Sequence, residues 1–296
     1  MSIQNSHFSI GPAWSGLAAA ATVALASATM AGVTPAGAGS ASDWESKNNF
    51  ATRLIADTVP WQDRQKALVA GVHIKLDEGW KTYWRYPGDS GIPPRFDWSG
   101  SGNLKQARVL WPAPTRYRDA AGLSIGYKNE VIFPILIEPV NAGQPIELRL
   151  KMEFAVCAEI CIPAEADLKL TVGEGGFFSR SYEPLLSRYL GRVPGKQTSG
   201  SGFSVSQTKA ELFGNAPYLS VDARFPEGTK GADLFIEGPE DFYLAPAEPV
   251  DRRSDGTVRF KVDLTKGDDP KDLKGKTVTL TLVTKTAQAE TTWRIK

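Results

Sequence analysis

The stretch PIELRLKMEFAVC, Pro145–Cys157, alternates strictly. Ile146, Leu148, Leu150, Met152, Phe154 and Val156 are apolar, and Glu147, Arg149, Lys151 and Glu153 between them are charged. Successive side chains of an extended strand point to opposite faces, so this period of two predicts a strand buried on one side and wet on the other. Runs of similar character surround it in KALVAGVHIKL, ARVLW, VIFPILIEP and ADLKLTV, separated by turn-forming clusters such as YPGDSGIPP and DWSGSGN. Several short strands, closely spaced turn signals and little helical spacing predict an all-β, antiparallel sandwich.

Beyond Gly176 the period changes. Tyr182, Leu185, Leu186, Tyr189 and Leu190 follow helical spacing, with Ser181 as N-cap and Gly191 and Pro194 as stops, which predicts one short helix. The following GKQTSGSG has linker composition. Strand patterns then resume in YLSVDARF, ADLFIEG, TVRFKVDL, TVTLTLVTK and ETTWRIK and predict a second β-sandwich without cysteine or histidine. At the other end, the apolar, alanine-rich run Leu17–Val33 precedes the first charged residue, Asp43, and Ala36 and Ala38 form an A-x-A pattern before Gly39. The run is short and weakly apolar for a membrane span and reads as an export signal, although its leading segment holds no Lys or Arg. The expected organisation is a signal peptide over 1–38, a first sandwich over 43–175, helix and linker over 176–200, and a second sandwich over 201–296. The mature chain of about 255 residues suits two domains, placed in the periplasm with no direct membrane span.

Charge narrows the partners. Lys and Arg number 34 against 33 Asp and Glu, so the balance gives no basic face and no nucleic acid is expected. Two cysteines are too few to build a disulfide scaffold, so hydrophobic cores must carry the fold.

Those two cysteines, Cys157 and Cys161, lie in FAVCAEICIPAE and admit three readings: a structural staple, a metal clamp or a redox pair. Closing a loop of about five residues is worth roughly 2 kcal/mol in the chain-entropy model, against nearly 5 for a loop of about 100 residues, so a stabilising bridge would do better elsewhere. Strand phase groups Cys157 with Glu147, Arg149, Lys151 and Glu153, on the outward face, which predicts an accessible thiol. Four residues of straight strand would separate the pair by about 13 Å, beyond the roughly 7 Å Cα limit for a disulfide, so the chain must turn within AEI. Pro163 lacks a ladder donor and suits an edge. With one histidine, His73, outside the leader, no structural zinc site closes, while two thiolates alone suit Cu(I). His73 shares a strand with Val72, Ile74 and Leu76 on the opposite phase and reads as an ordinary strand residue. No nucleophile elbow is present, and GSGNLK near Gly100 lacks the strand-turn-helix context of a nucleotide loop.

CAEICIPAE, LDEGWKTYWRYPGDSGIPPRFDWSGS and WPAPTRYRDAAGLSIGYKNEVIFP together resemble the N-terminal periplasmic domain of the DsbD thiol:disulfide interchange family, especially its variants related to suppressor of copper sensitivity protein B. The resemblance covers roughly Asp43 to Val172. It implies an immunoglobulin-like sandwich whose Cys157 and Cys161 pass electrons between a membrane reductase and thioredoxin-like periplasmic oxidoreductases, with no cofactor and no metal. It further implies that Cys157 forms the mixed disulfide, that Leu123, Ser124 and Ile125 form a mobile cap, and that Tyr83 and Glu165 line the site. The chain carries neither a multi-spanning segment nor a C-x-x-C domain, so a separate membrane electron transporter would have to feed it. Disulfide isomerisation, cytochrome c biogenesis or copper tolerance is the process such a relay would serve, and the sequence does not choose among them. The contrasting reading is a non-enzymatic module that binds Cu(I) or docks a partner around a structural disulfide. Glu159, Glu165 and Asp167 near the pair, with no Lys, Arg or His between Phe154 and Leu168, predict a thiol not activated by its sequence neighbours.

Overall fold

The alternating run is strand β10 (Ile146–Cys157), and its side chains are buried and exposed in turn as far as Phe154. The computed structural model describes residues 40–61, 65–89, 91–119, 122–173 and 181–296; the segment read as a signal peptide, 1–38, lies outside them. Strand β10 pairs along its whole length with β11 (Cys161–Val172), from Ile146 opposite Val172 to Cys157 opposite Cys161. On its other edge it meets β4 (Lys81–Gly88) and the short β5 (Arg95–Asp97). Strands β8 (Gly122–Lys128) and β7 (Thr115–Asp119) complete this sheet in the order β11-β10-β4-β8-β7.

The facing sheet runs β1 (Glu45–Lys47), β2 (Phe50–Pro60), β3 (Lys66–Leu76), β9 (Glu130–Pro139) and β6 (Leu104–Val109). Leu54, Val72, Ile74, Phe133, Leu150 and Phe154 close the core between the two sheets. Two antiparallel sheets packed this way make the immunoglobulin-like, all-β sandwich. Removing such side chains from water supplies most of its stability, on the order of 2 kcal/mol for each large one.

Helix α1 (Glu183–Leu190) follows, with Leu186, Tyr189 and Leu190 buried against the first core. Gly71 of β3 makes room for it, since a Cβ there would come within 2.8 Å of both Leu186 and Ile132 side chains. The expected cap at Ser181 is corrected: Tyr182 holds the N-cap position, and the acceptor comes from β2. Asp57 Oδ2 takes the backbone N–H groups of Tyr182 (2.8 Å) and Glu183 (2.9 Å) and the Ser181 hydroxyl (3.0 Å), leaving Ser181 a weaker 3.3 Å contact to the Glu183 N–H. A carboxylate satisfies the helix's positive end better than a hydroxyl, and only the fold brings this one there.

The second sandwich pairs β12 (Gly195–Lys196), β19 (Gln288–Arg294), β18 (Thr277–Val283) and β15 (Asp233–Glu237) in one sheet. Its other sheet contains β13 (Ser204–Glu211), β14 (Tyr218–Arg224), β17 (Thr257–Asp263) and β16 (Glu248–Arg252). Val221, Phe260, Leu280 and Leu282 lie fully buried between them. The stretch of linker composition is tied down from its first residues: Gly195 and Lys196 pair in parallel with β19, and the Gln197 N–H reaches Glu290 O at 2.8 Å.

His73 is buried beneath Trp44, whose ring centroid lies 4.7 Å away. Arg53 Nε donates to its Nδ1 (3.3 Å), so Nε2 carries the proton and donates to Glu130 Oε1 (2.7 Å). Burial lowers its pKa from 6.5 and outweighs the carboxylate, which acts the other way.

Asp57→Ala should cost about 2 kcal/mol, lowering the melting temperature by about 4–8 °C, because it strips a buried acceptor from two backbone amides and a hydroxyl. Asp57→Ala melting within a degree of the parent would show the cap to be dispensable. His73 stays neutral in the folded chain over a pH range where the unfolded chain protonates it, so its contribution is whole above pH 6.5 and falls as pH drops below that value. Thermal melts from pH 7.5 to 5 should therefore decline less in His73→Gln than in the parent; parallel curves would contradict this.

Candidate thiol-disulfide site

The β10–β11 hairpin ends where its two cysteines face each other across the ladder. The chain turns within Ala158–Ile160, closed by the Ala158 N–H to Ile160 O bond at 3.1 Å, and the Cα atoms of Cys157 and Cys161 stand 4.1 Å apart with the disulfide formed. Strand β11 is the edge of its sheet. The Glu165 carbonyl points away from β10 to accept Lys47 Nζ (2.6 Å), and by strand periodicity Pro163, two residues earlier, turns its donorless nitrogen to the same open side.

The expected accessibility of Cys157 is overturned. Its residue is 1% exposed, whereas Cys161 is exposed. Strand phase places Cys157 correctly away from the main core, in a small cluster with Ala155 and Tyr83. That face is not open at this end of the strand, because β4 runs alongside and sets Lys81 opposite Cys157 and Thr82 opposite Val156. Tyr83 follows Lys81 at strand spacing. Its Oη donates to Cys157 Sγ at 2.8 Å and lies 3.3 Å from Cys161 Sγ. Neither sulfur of a disulfide carries hydrogen, so the phenol is the donor to both.

The remaining expected site residues fall elsewhere. Leu123 and Ile125 occupy inward positions of β8 within the main core, and Ser124 between them is buried on the opposite face. A paired strand holding core side chains is not a mobile cap; Ala120 and Ala121, part of the same predicted loop, lie outside the described residues. The backbone that rests on Tyr83 belongs instead to Gly91, at φ +140°, where a Cβ would come within 2.3 Å of the ring. Glu165 sits four ladder positions from Cys161, about 13 Å along the strand, opposite Glu153, and touches Lys47 through its backbone rather than the sulfurs through its carboxylate.

The acidic surroundings read from sequence neighbours are likewise one-sided. Lys81 brings a buried cationic side chain to the position directly across from Cys157, where paired Cβ atoms stand about 5 Å apart. The alternation of Lys81 and Tyr83 in GWKTYWRY is the sequence signal that both share a face; which cysteine they meet depends on the strand pairing. Next to Cys161 in the chain, Ile160 (67% exposed) is unusually open for its type. Among the described residues no three His, Cys, Asp or Glu side chains converge to hold a metal ion.

In the site as built Cys161 is exposed, and Cys157 is buried beside the Tyr83 hydroxyl. Residues 54–173 match the family described as thiol:disulfide interchange protein DsbD, N-terminal, and residues 192–296 match a domain of unknown function, DUF8393. In the solved structures, the chain is similar to the crystal structure of the N-terminal periplasmic domain of ScsB from Proteus mirabilis, with a TM-score of 0.69 and 19% identity. That likeness covers 87% of this chain and 99% of the other, so the two share a fold through both sandwiches. No curated protein matches the chain. Among the described residues no helix is long and apolar enough to cross a membrane. The cysteine hairpin on its sandwich thus lies within residues 54–173, the part of the chain that is similar to the DsbD N-terminal family of thiol:disulfide interchange proteins.

Proposed function

We propose that the protein is an exported periplasmic electron carrier, moving two electrons through Cys157 and Cys161 from a separate membrane transporter to thioredoxin-like oxidoreductases. The observation that carries this reading is the asymmetry of the pair: Cys161 is exposed, while Cys157 is buried with the Tyr83 hydroxyl at 2.8 Å. A structural staple has no use for a hydroxyl donor held against its sulfurs, closer to the buried one.

The asymmetry also supports a division of roles, opposite to the expectation that Cys157 forms the mixed disulfide. A donor's thiolate attacks Cys161 Sγ, the Cys157–Cys161 bond breaks, and its electron pair leaves on Cys157 Sγ. The Tyr83 O–H strengthens its bond to that sulfur as negative charge develops there, because a charged acceptor roughly doubles a hydrogen bond's strength. The donor's second thiolate then attacks its own first sulfur and expels Cys161. The donor leaves as a disulfide, and the pair is left with two electrons and takes up two protons. With an oxidised acceptor the steps run backwards, Cys161 attacking and Cys157 resolving. The exposed Ile160, the residue before Cys161, gives a partner an apolar contact beside the one reachable sulfur.

With an aromatic disulfide reagent, Cys157→Ala, which leaves Cys161, should react at least about tenfold faster than Cys161→Ala, which leaves the buried sulfur. Equal rates, or the reverse order, would remove the assignment of roles. Tyr83→Phe should slow opening of the disulfide by dithiothreitol about tenfold, the effect of one lost hydrogen bond to a charged group. The reduction potential should fall within about −120 to −270 mV, the span of dedicated oxidoreductases; a value below about −300 mV would make the bond structural.

A further inference from the structure

We propose that the second sandwich positions Tyr83, and through it the leaving sulfur of Cys157, by gripping the residues that follow Tyr83 in β4. The proposal rests on the exchange reading above and gives the second sandwich a part in it.

Tyr83 stands where β4 stops being held by its own sheet. It is opposite Gly126 in β8, and the pairing resumes only at Gly88 opposite Ser124, so Trp84–Pro87 bulge out against a single residue of β8. On the other edge, β10 pairs with β4 only at Lys81 and Thr82. The ladders therefore fix the residues before Tyr83 and leave those after it to other contacts.

Those contacts come from the second sandwich, residue after residue. Trp84 packs on Phe235 with ring centroids 5.7 Å apart. Arg85 forks onto Glu237, Nε to Oε2 and Nη2 to Oε1 at 2.7 Å each, and Nη2 also reaches Glu290 at 2.5 Å. Tyr86 Oη donates to Leu244 O (2.9 Å) and accepts the Leu244 N–H (2.5 Å). Asp89 takes the Leu123 N–H (3.0 Å) on one oxygen and the Tyr243 hydroxyl (3.1 Å) on the other. Two residues further on, Gly91 lies against the Tyr83 ring itself.

The grip is rigid enough to matter. The Arg85–Glu237 pair is bidentate and mostly withdrawn from water, with side chains 28% and 15% exposed, unlike a surface pair worth little. A hydrogen bond weakens steeply as its angle opens, so a small rotation of the Tyr83 ring removes its help from Cys157 without unfolding anything. Loosening the grip should make Cys157 a poorer leaving group and move the dithiol–disulfide equilibrium toward the disulfide.

The test uses the full chain and four variants, Arg85→Met, Glu237→Gln, Tyr83→Phe and the Arg85→Met/Tyr83→Phe pair, each opened by dithiothreitol at pH 8. Arg85→Met should slow opening about threefold or more, approaching the effect of Tyr83→Phe, and Glu237→Gln, which keeps an acceptor oxygen, should fall between it and the parent. The pair should open no more slowly than Tyr83→Phe alone, because both changes remove the same hydrogen bond. A merely structural role for Arg85 would lower the melting temperature without this coupling. If Arg85→Met does not fold, Glu237→Gln alone and combined with Tyr83→Phe carries the same comparison. Unchanged rates in the Arg85 and Glu237 variants, or effects that multiply with Tyr83→Phe, would overturn the grip while leaving exchange intact. A parent disulfide that resists dithiothreitol would instead overturn the exchange reading, and this proposal with it.

Discussion

A slip of one residue between β10 and β11 would undo this protein. The ladder from Ile146–Val172 to Cys157–Cys161 is set by the alternation of apolar and charged side chains, and a shift of one would send Leu148, Leu150 and Phe154 to solvent. The same register brings the two sulfurs opposite each other at the hairpin's end. Burial of one face thus fixes the cysteine pair: the core energy that holds the sheet together also sets the geometry of the disulfide.

What makes the pair useful is that its two sulfurs differ. The hairpin places both at the sheet's edge region, but β4 covers only one of them. Cys161 keeps its exposure, while Cys157 is enclosed by Lys81, Ala155 and Tyr83. In the proposed exchange an attacking thiol would meet one sulfur, and the charge it displaces would arrive at the other, where a phenol hydroxyl already points. Which sulfur is attacked in thiol exchange, and which leaves, comes from such differences in access and leaving ability.

Glycines make this close packing feasible at a few points. Gly126 lets β8 approach β4 where a Cβ would stand 2.0 Å from Thr82 O, and Gly91 allows the backbone to lie on the Tyr83 ring. The bulge Trp84–Pro87, which a regular strand could not form, turns Arg85 and Tyr86 toward the second sandwich. The aromatic stretch GWKTYWRY therefore carries two roles on one strand, cysteine contact before the bulge and sandwich contact within it.

Strands β3, β6, β9, β10 and β11 of the first sandwich and β14, β15, β17, β18 and β19 of the second, the helix over Glu183–Leu190, the turn inside AEI and the edge position around Pro163 are legible in the sequence, because each depends on periodicity or on turn and proline chemistry within a few residues; β2 and β4 are not, and the β8 segment reads as a loop. Phase also places Cys157 off the main core. Its burial, Lys81 opposite it, the Asp57 cap and the core positions of Leu123 and Ile125 are not legible, since each depends on which strand lies alongside. Local sequence thus determined about half of the strands, the helix and the presence of a closely spaced cysteine pair. Only the tertiary structure decided which sulfur is reachable and what stands behind the other, because access and hydrogen bonding are properties of neighbours that the chain brings together from 74 residues away.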